Sequence, residues 1–158
     1  MKQILVFATV LSIARCAPAA VGMTLAEYEL GWARYYAERD DVPFDLVEAI
    51  IVVESGGNPY ALSAKGAAGV MQLMPRTAYN FRVANRFLVQ ENIRAGVGYL
   101  GELIREFHGD LRLAVASYYA GDRLIRRKKL ACSSPEIYNY VLRVAAVYQA
   151  LRTHRGEP

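Results

Sequence analysis

The chain has 158 residues, 54% of them hydrophobic, and a net charge of +4 from 19 basic and 15 acidic side chains. That length and apolar content suit one domain with a proper core. Two cysteines are too few for a disulfide scaffold, and the mild basicity fits an anionic surface but makes no case for nucleic acid as a partner.

The N-terminus has the pattern of a secretory leader over residues 1–19. Lys2 supplies the positive end, Ile4 to Ala14 an apolar stretch too short to span a bilayer, and Ala17-Pro18-Ala19 an A-x-A site. A buried N-terminal helix is the competing reading. A lipid anchor on Cys16 is disfavoured because Arg15 stands where a small residue belongs. Cleavage after Ala19 removes Lys2 and Arg15, lowers the net charge from +4 to +2, and leaves Cys132 as the sole cysteine, either buried or paired with another molecule. The expected location is periplasmic or secreted, with no stable membrane span.

The domain proper is expected over residues 24–152. Thr24-Leu25-Ala26-Glu27 reads as a capping box that starts a helix running to about Arg39. Leu25, Tyr28, Trp32, Tyr35 and Tyr36 fall near one face, and we assign that stripe to core packing. Asp40-Asp41-Val42-Pro43 ends this helix and opens the next. By propensity Ile50-Ile51-Val52-Val53 could be a strand. Its continuity with Phe44 to Ala49 and its lack of alternation favour a helix from Pro43 to Val53, buried nearly all round.

Gly56-Gly57-Asn58-Pro59 breaks that helix, and a long irregular loop covers Ser55 to Ala68. A loop of this length inside a compact domain is usually functional. Gly66 and Gly69 permit close backbone approach. Pro75-Arg76-Thr77-Ala78 opens a short helix. Gln90-Glu91-Asn92-Ile93 leads into a longer one that stops near His108-Gly109, with Ile93, Val97, Leu100, Leu103, Ile104 and Phe107 at helical spacing. Asp110 caps Leu111 to Ala120. Ser133-Ser134-Pro135-Glu136 reads as a second capping box, and the last helix runs to about Arg152. The elements describe an all-α domain with one long loop.

Glu54 is the leading chemical candidate. In a helix, Ile50, Ile51 and Val47 precede it by four, three and seven residues and share its face. A carboxyl at the C-terminal end of a greasy helix is pushed toward its protonated form by desolvation, and the negative end of the helix dipole pushes the same way. Such a group can hold a proton near neutral pH and act as a general acid. The bland alternative is an exposed Glu that merely ends a core helix.

Little else carries chemistry. His108 and His154 lie apart, and no H-E-x-x-H or Cys/His cluster points to a metal. No G-x-S-x-G and no phosphate-cradling glycine loop occurs. Arg126-Arg127-Lys128-Lys129 is read as a solvated surface run.

Four motifs then bring a family into view. Glu54-Ser55, Asn58-Pro59, Ser63 and Gly66 are followed by Gly69-Val70-Met71-Gln72-Leu73-Met74-Pro75. Asn92-Ile93, Gly96 and Tyr99-Leu100 come next, then Ser117-Tyr118-Tyr119-Ala120-Gly121, then Glu136-Ile137 with Tyr140-Val141. In this order and spacing, over roughly residues 40 to 148, the chain closely resembles the soluble lytic transglycosylases, lysozyme-like enzymes that cleave peptidoglycan.

The resemblance implies a goose-type lysozyme-like fold with a long active-site loop, peptidoglycan glycan strands as the partner, and no cofactor. It implies that one acid suffices where ordinary glycosidases use two carboxyls. Glu54 would protonate the oxygen between N-acetylmuramic acid and N-acetylglucosamine. Its carboxylate would then take the proton of the sugar's own 6-hydroxyl, which closes a 1,6-anhydro ring. By position, Tyr118 matches the tyrosine that reaches and orients the catalytic Glu. Ser63, Gln72 and Met74 match cleft residues that contact the sugar, and Glu136 and Tyr140 match a pair facing the same groove.

Val70 stands in place of the family's leucine, and three further departures matter. Tyr119 replaces an asparagine, Ile137 a threonine, and Asp122 a common proline. The short single-domain form resembles the specialised members that open the wall for secretion or conjugation assemblies. Two alternatives stay open: a muramidase that hydrolyses the same bond with water, and a catalytically silent glycan-binding component.

Overall fold

A computed structural model describes residues 24–128 and 134–156 of the chain. The leader pattern at 1–19, Cys16, Lys129, Cys132 and Ser133 lie outside the described residues. Among those described there are seven helices: α1 (Leu25–Asp40), α2 (Phe44–Ser55), α3 (Pro75–Asn80), α4 (Val89–Glu106), α5 (Leu111–Ala120), α6 (Asp122–Lys128) and α7 (Pro135–His154). Among the described residues, the only β-type pairings are isolated bridges in the loop between α2 and α3.

The helix starts follow local chemistry. Thr24 and Glu27 cap α1 reciprocally: the Glu27 N–H donates to Thr24 Oγ1 and the Thr24 N–H donates to Glu27 Oε2. The Asp110 carboxylate accepts from the Arg112 and Leu113 N–H groups at the head of α5. The capping box expected at Ser133 to Glu136 shifts by one residue. Pro135 takes the first helical position, so Ser134 is the cap, its Oγ accepting from the Ile137 N–H, and Glu136 falls at the second position.

α2 is the axis of the fold. It packs chiefly on α7 and also on α1, while α4 joins α1 to α5 and α5 packs on α7 and α6. Its Leu46, Val47, Ala49, Ile50 and Ile51 are buried, so tertiary packing overrides the strand preference of the β-branched run. Val52 is the exception to a helix buried all round and is exposed. The main core gathers Ala33, Tyr36, Val70, Met71, Ile93, Val97, Leu100 and Val144 around α2. Arg155, just past α7, pairs with Asp45 and Glu48 at the head of α2.

Three expectations change. The α1 stripe is core only in part: Tyr36 is buried and Trp32 packs against the core, but Leu25 and Tyr35 are exposed. The inward face of α1 carries Ala33, Ala37 and the carboxylic acid Glu29 instead. The segment after Gly121 is helical rather than an unassigned run. Gly121 (φ 88) ends α5, Ile125 of α6 is buried, and Arg126 pairs with Glu106 and Asp122. Finally, α2 continues two residues past Val53, which places Glu54 inside the helix rather than after it.

Candidate active site

Glu54 occupies the last turn of α2, and Gly56 closes that turn. In the left-handed conformation (φ 61), Gly56 donates its N–H to the carbonyls of Ile51 and Val52. Ser55 fastens the helix end to the following loop. Its hydroxyl donates to the Val70 carbonyl at 2.7 Å and accepts the Gly57 N–H at 3.1 Å. The helix terminus is therefore tied down on the side where a fraying turn would swing the acid into solvent.

The loop is held by backbone pairing and by one buried amide. Ala68 and Leu73 exchange both backbone hydrogen bonds around a four-residue turn, in which Gly69 (φ 81) and Gln72 (φ 47) take positive φ. Asn92, fully buried on α4, accepts the Met71 N–H at 2.8 Å and donates to Ala68 O at 2.9 Å and Arg86 O at 2.6 Å. The Arg86 guanidinium in turn donates to the carbonyls of Gly66 and Leu73. A Cβ at position 69 would lie 2.1 Å from Asn92 Nδ2 and 2.2 Å from Arg86 O, so glycine is required there for space as well as for φ.

This construction opens a groove of about 640 Å³ with Glu54 in its wall. Ser63, Gln72, Met74, Tyr118 and Glu136, all expected from the sequence, line the same groove, together with Lys65, Tyr119 and Ser134. Tyr140 does not line it. It lies behind, 2% exposed, and its hydroxyl donates to Glu54 Oε1 at 2.6 Å. The tyrosine that reaches Glu54 is thus Tyr140 and not Tyr118, whose hydroxyl donates to the Met71 carbonyl at 2.9 Å. The reason is placement: Tyr118 sits on α5 against the loop, whereas Tyr140 is on α7, the helix packed along α2.

Burial dominates the electrostatics of Glu54. Burial raises its pKa above the ordinary carboxylate value, against the opposing pull of the Tyr140 hydrogen bond and the Arg143 charge. Burial and the neighbouring Glu54 charge hold the Tyr118 and Tyr140 phenols well above their usual range, so both remain donors. Around them, Gln72 Nε2 donates to the carbonyls of Ala61 and Gly69, which fixes the side chain. Ser63 Oγ accepts the Ala67 N–H at 2.9 Å, so this serine holds its own loop while facing the groove. A larger recess of about 700 Å³ lies beyond Met74, Ala120 and Leu124. It contains neither Glu54 nor Tyr118, and chemistry rather than size selects the smaller groove.

Several supports of this site are not among the residues expected from the sequence. Asn92 opens the Asn92-Ile93 motif, but its clamp on the loop is not local, since Met71 and Ala68 lie 21 and 24 positions away. Ser55 likewise follows Glu54 in its motif. Arg86 carries no local signal, because its partners Gly66 and Leu73 belong to a distant turn.

Comparison with known proteins places this geometry. The transglycosylase SLT domain model matches residues 32–141. The chain is 40% identical over 76 residues to a transglycosylase of Enterobacteria phage PRD1, covering 48% of this chain and 28% of that protein. It is 37% identical over 91 residues to membrane-bound lytic murein transglycosylase F of Desulfosudis oleivorans, covering 54% of this chain and 20% of that one. Among solved structures, an inactive mutant of lytic transglycosylase Slt from Pseudomonas aeruginosa superposes with TM-score 0.70 and 26% identity, over 80% of this chain and 24% of the other. The 70 kDa soluble lytic transglycosylase of Escherichia coli superposes with TM-score 0.71 at 23% identity, over 84% of this chain and 26% of the other, a likeness of fold. The chain thus spans about a quarter of the length of the relatives it matches.

Proposed function

The chain belongs to the transglycosylase SLT domain family, and on that footing we propose that it is a peptidoglycan lytic transglycosylase with Glu54 as its single acid and base. One observation carries the reading. A carboxyl whose pKa is pushed up by burial lines a groove, and the Tyr140 hydroxyl donates to it at 2.6 Å.

In the first step the Glu54 proton passes to the glycosidic oxygen between N-acetylmuramic acid and N-acetylglucosamine, and the C1–O bond breaks. The carboxylate left behind is stabilised by the Tyr140 hydroxyl and by Arg143. In the second step it takes the proton of the muramyl 6-hydroxyl as O6 bonds to C1. Glu54 ends protonated, and no water is consumed. Gln72 supports substrate binding: with both hydrogens of its amide engaged by Ala61 and Gly69, its carbonyl oxygen is the atom left for a sugar N–H or hydroxyl. Ser63, Met74, Tyr118 and Glu136 are proposed to contact the glycan, as they border the same groove.

The wall lies outside the cytoplasmic membrane, so this substrate calls for export to the periplasm or beyond, in keeping with the leader pattern at residues 1–19. Service to a secretion or conjugation assembly is proposed from the resemblance to short specialised members. Mass spectrometry of muropeptides released from purified cell wall tests the reaction. Products one water lighter than reducing-end muropeptides are expected, and Glu54→Gln should release none. Reducing-end products would make the protein a muramidase, and binding without release would make it a glycan-binding component.

A further inference from the structure

We propose that Tyr119 is a positioning residue whose ring clamps the Tyr140 phenol in the orientation that donates to Glu54. The proposal rests on the reading of Glu54 as the acid, and it concerns a position where this chain departs from the family motif, which has an asparagine.

The geometry runs through three side chains on three helices. The rings of Tyr119 (α5) and Tyr140 (α7) stack with centroids 4.5 Å apart and planes 22° from parallel, within the range of a favourable offset stack. From that stack the Tyr140 hydroxyl reaches Glu54 Oε1 on α2 at 2.6 Å. Among the described residues, Tyr140 is the aromatic ring on which Tyr119 stacks. The adjacent Tyr118 turns the other way, to the Met71 carbonyl. Successive residues of α5 thus brace Glu54's surroundings from both sides, one through the loop and one through α7. An asparagine at position 119 has no ring to lay on Tyr140.

The clamp has a functional consequence. The Tyr140 hydrogen bond favours the ionised form of Glu54, as does Arg143, while burial opposes it. The other ionisable groups nearby are Tyr118 of α5, Lys65 of the loop and Glu136 of α7 along the groove, and Glu29 of α1 against the Gly57 turn. Among the described residues, none of these stacks on the Tyr119 ring. Loosening the stack weakens the Tyr140 bond, Glu54 holds its proton to higher pH, and the alkaline limb of an acid-dependent reaction moves upward.

The test measures anhydromuropeptide release against pH, with kcat and KM separated, for Tyr119→Ala, Tyr119→Phe, Tyr140→Phe and the Tyr119→Ala/Tyr140→Phe double variant. Tyr119→Ala should move the alkaline limb upward by about half to one pH unit, as for partial loss of one charge-assisted hydrogen bond. It should lower kcat more than it raises KM. Tyr119→Phe keeps the ring and should keep the alkaline limb of the parent. In the Tyr140→Phe background Tyr119→Ala should add no further shift. An unmoved limb with a several-fold rise in KM overturns the proposal in favour of a direct sugar contact, and a full shift in the Tyr140→Phe background overturns it as well.

Titration of the Glu54 carboxyl carbon by NMR reads the same shift without turnover. A parent protein that releases nothing therefore sinks the proposed activity alone. A Glu54 midpoint unmoved by both Tyr119→Ala and the half-exposed site's milder change, Tyr119→Asn, sinks the clamp alone.

Discussion

Replacing Asn92 by alanine tests whether the active-site loop is held by a single buried amide. The change removes three hydrogen bonds: from the Met71 N–H at 2.8 Å, and to Ala68 O and Arg86 O at 2.9 and 2.6 Å. Each is worth about 0.5–1.5 kcal/mol net, and a buried group left without a partner costs about 1–3 kcal/mol. Met71 is fully buried, so its N–H has no water to turn to. The expected loss is about 3–5 kcal/mol, a large part of the roughly 5–15 kcal/mol that stabilises a domain. Urea unfolding should show the midpoint falling with an unchanged slope, as for a loss of stability without a change in the surface exposed. Activity of the folded fraction should fall too, since Met71 also carries the carbonyl that holds Tyr118. Gly69→Ala attacks the same lock from the other side, through its clash with Asn92 Nδ2, and the two losses should be clearly less than additive. A loss below about 1 kcal/mol with full activity would refute the idea that Asn92 organises the loop.

Three further outcomes follow from the same structure. Glu54→Gln should leave stability near pH 4 unchanged and raise it relative to the parent at neutral pH. The folded pKa of Glu54 is raised, so its contribution is present below the unfolded pKa and is lost as pH rises through the folded one; melting temperatures at the two pH values read this, and a gap that narrows with pH counts against it. Glu136→Gln should retain most turnover, because one acid is asked to serve both steps; a loss as complete as that of Glu54→Gln would point to a two-carboxyl mechanism instead. Gly96→Ala places a Cβ 2.5 Å from Met71 Sδ, and overpacking should cost about 1–3 kcal/mol in thermal or urea unfolding unless Met71 shifts aside.

Short-range chemistry accounts for what could be read without coordinates. The reciprocal cap of Thr24 and Glu27, the Asp110 cap and the breakers at Gly56 and Gly109 act within a turn of themselves, so their positions survive into the fold. The aliphatic face of Val47, Ile50 and Ile51 beneath Glu54 follows from helical spacing in the same way. Proline at the first position of α7 was a local signal too, and weighing it above the capping-box pattern would have moved the cap to Ser134.

What the chain order could not settle was which distant groups meet. Glu54 and Tyr140 are 86 positions apart, and their 2.6 Å bond exists because α7 packs along α2. Tyr118, the partner that the motif implied, is turned instead to the Met71 carbonyl. The same holds for Arg86 on the Gly66 and Leu73 carbonyls, for the exposure of Leu25 and Tyr35, and for the stack of Tyr119 on Tyr140. Local patterns determine which face of a helix is apolar. Only the close packing of whole helices determines which polar atom, among many on the facing elements, arrives within hydrogen-bonding distance of the acid.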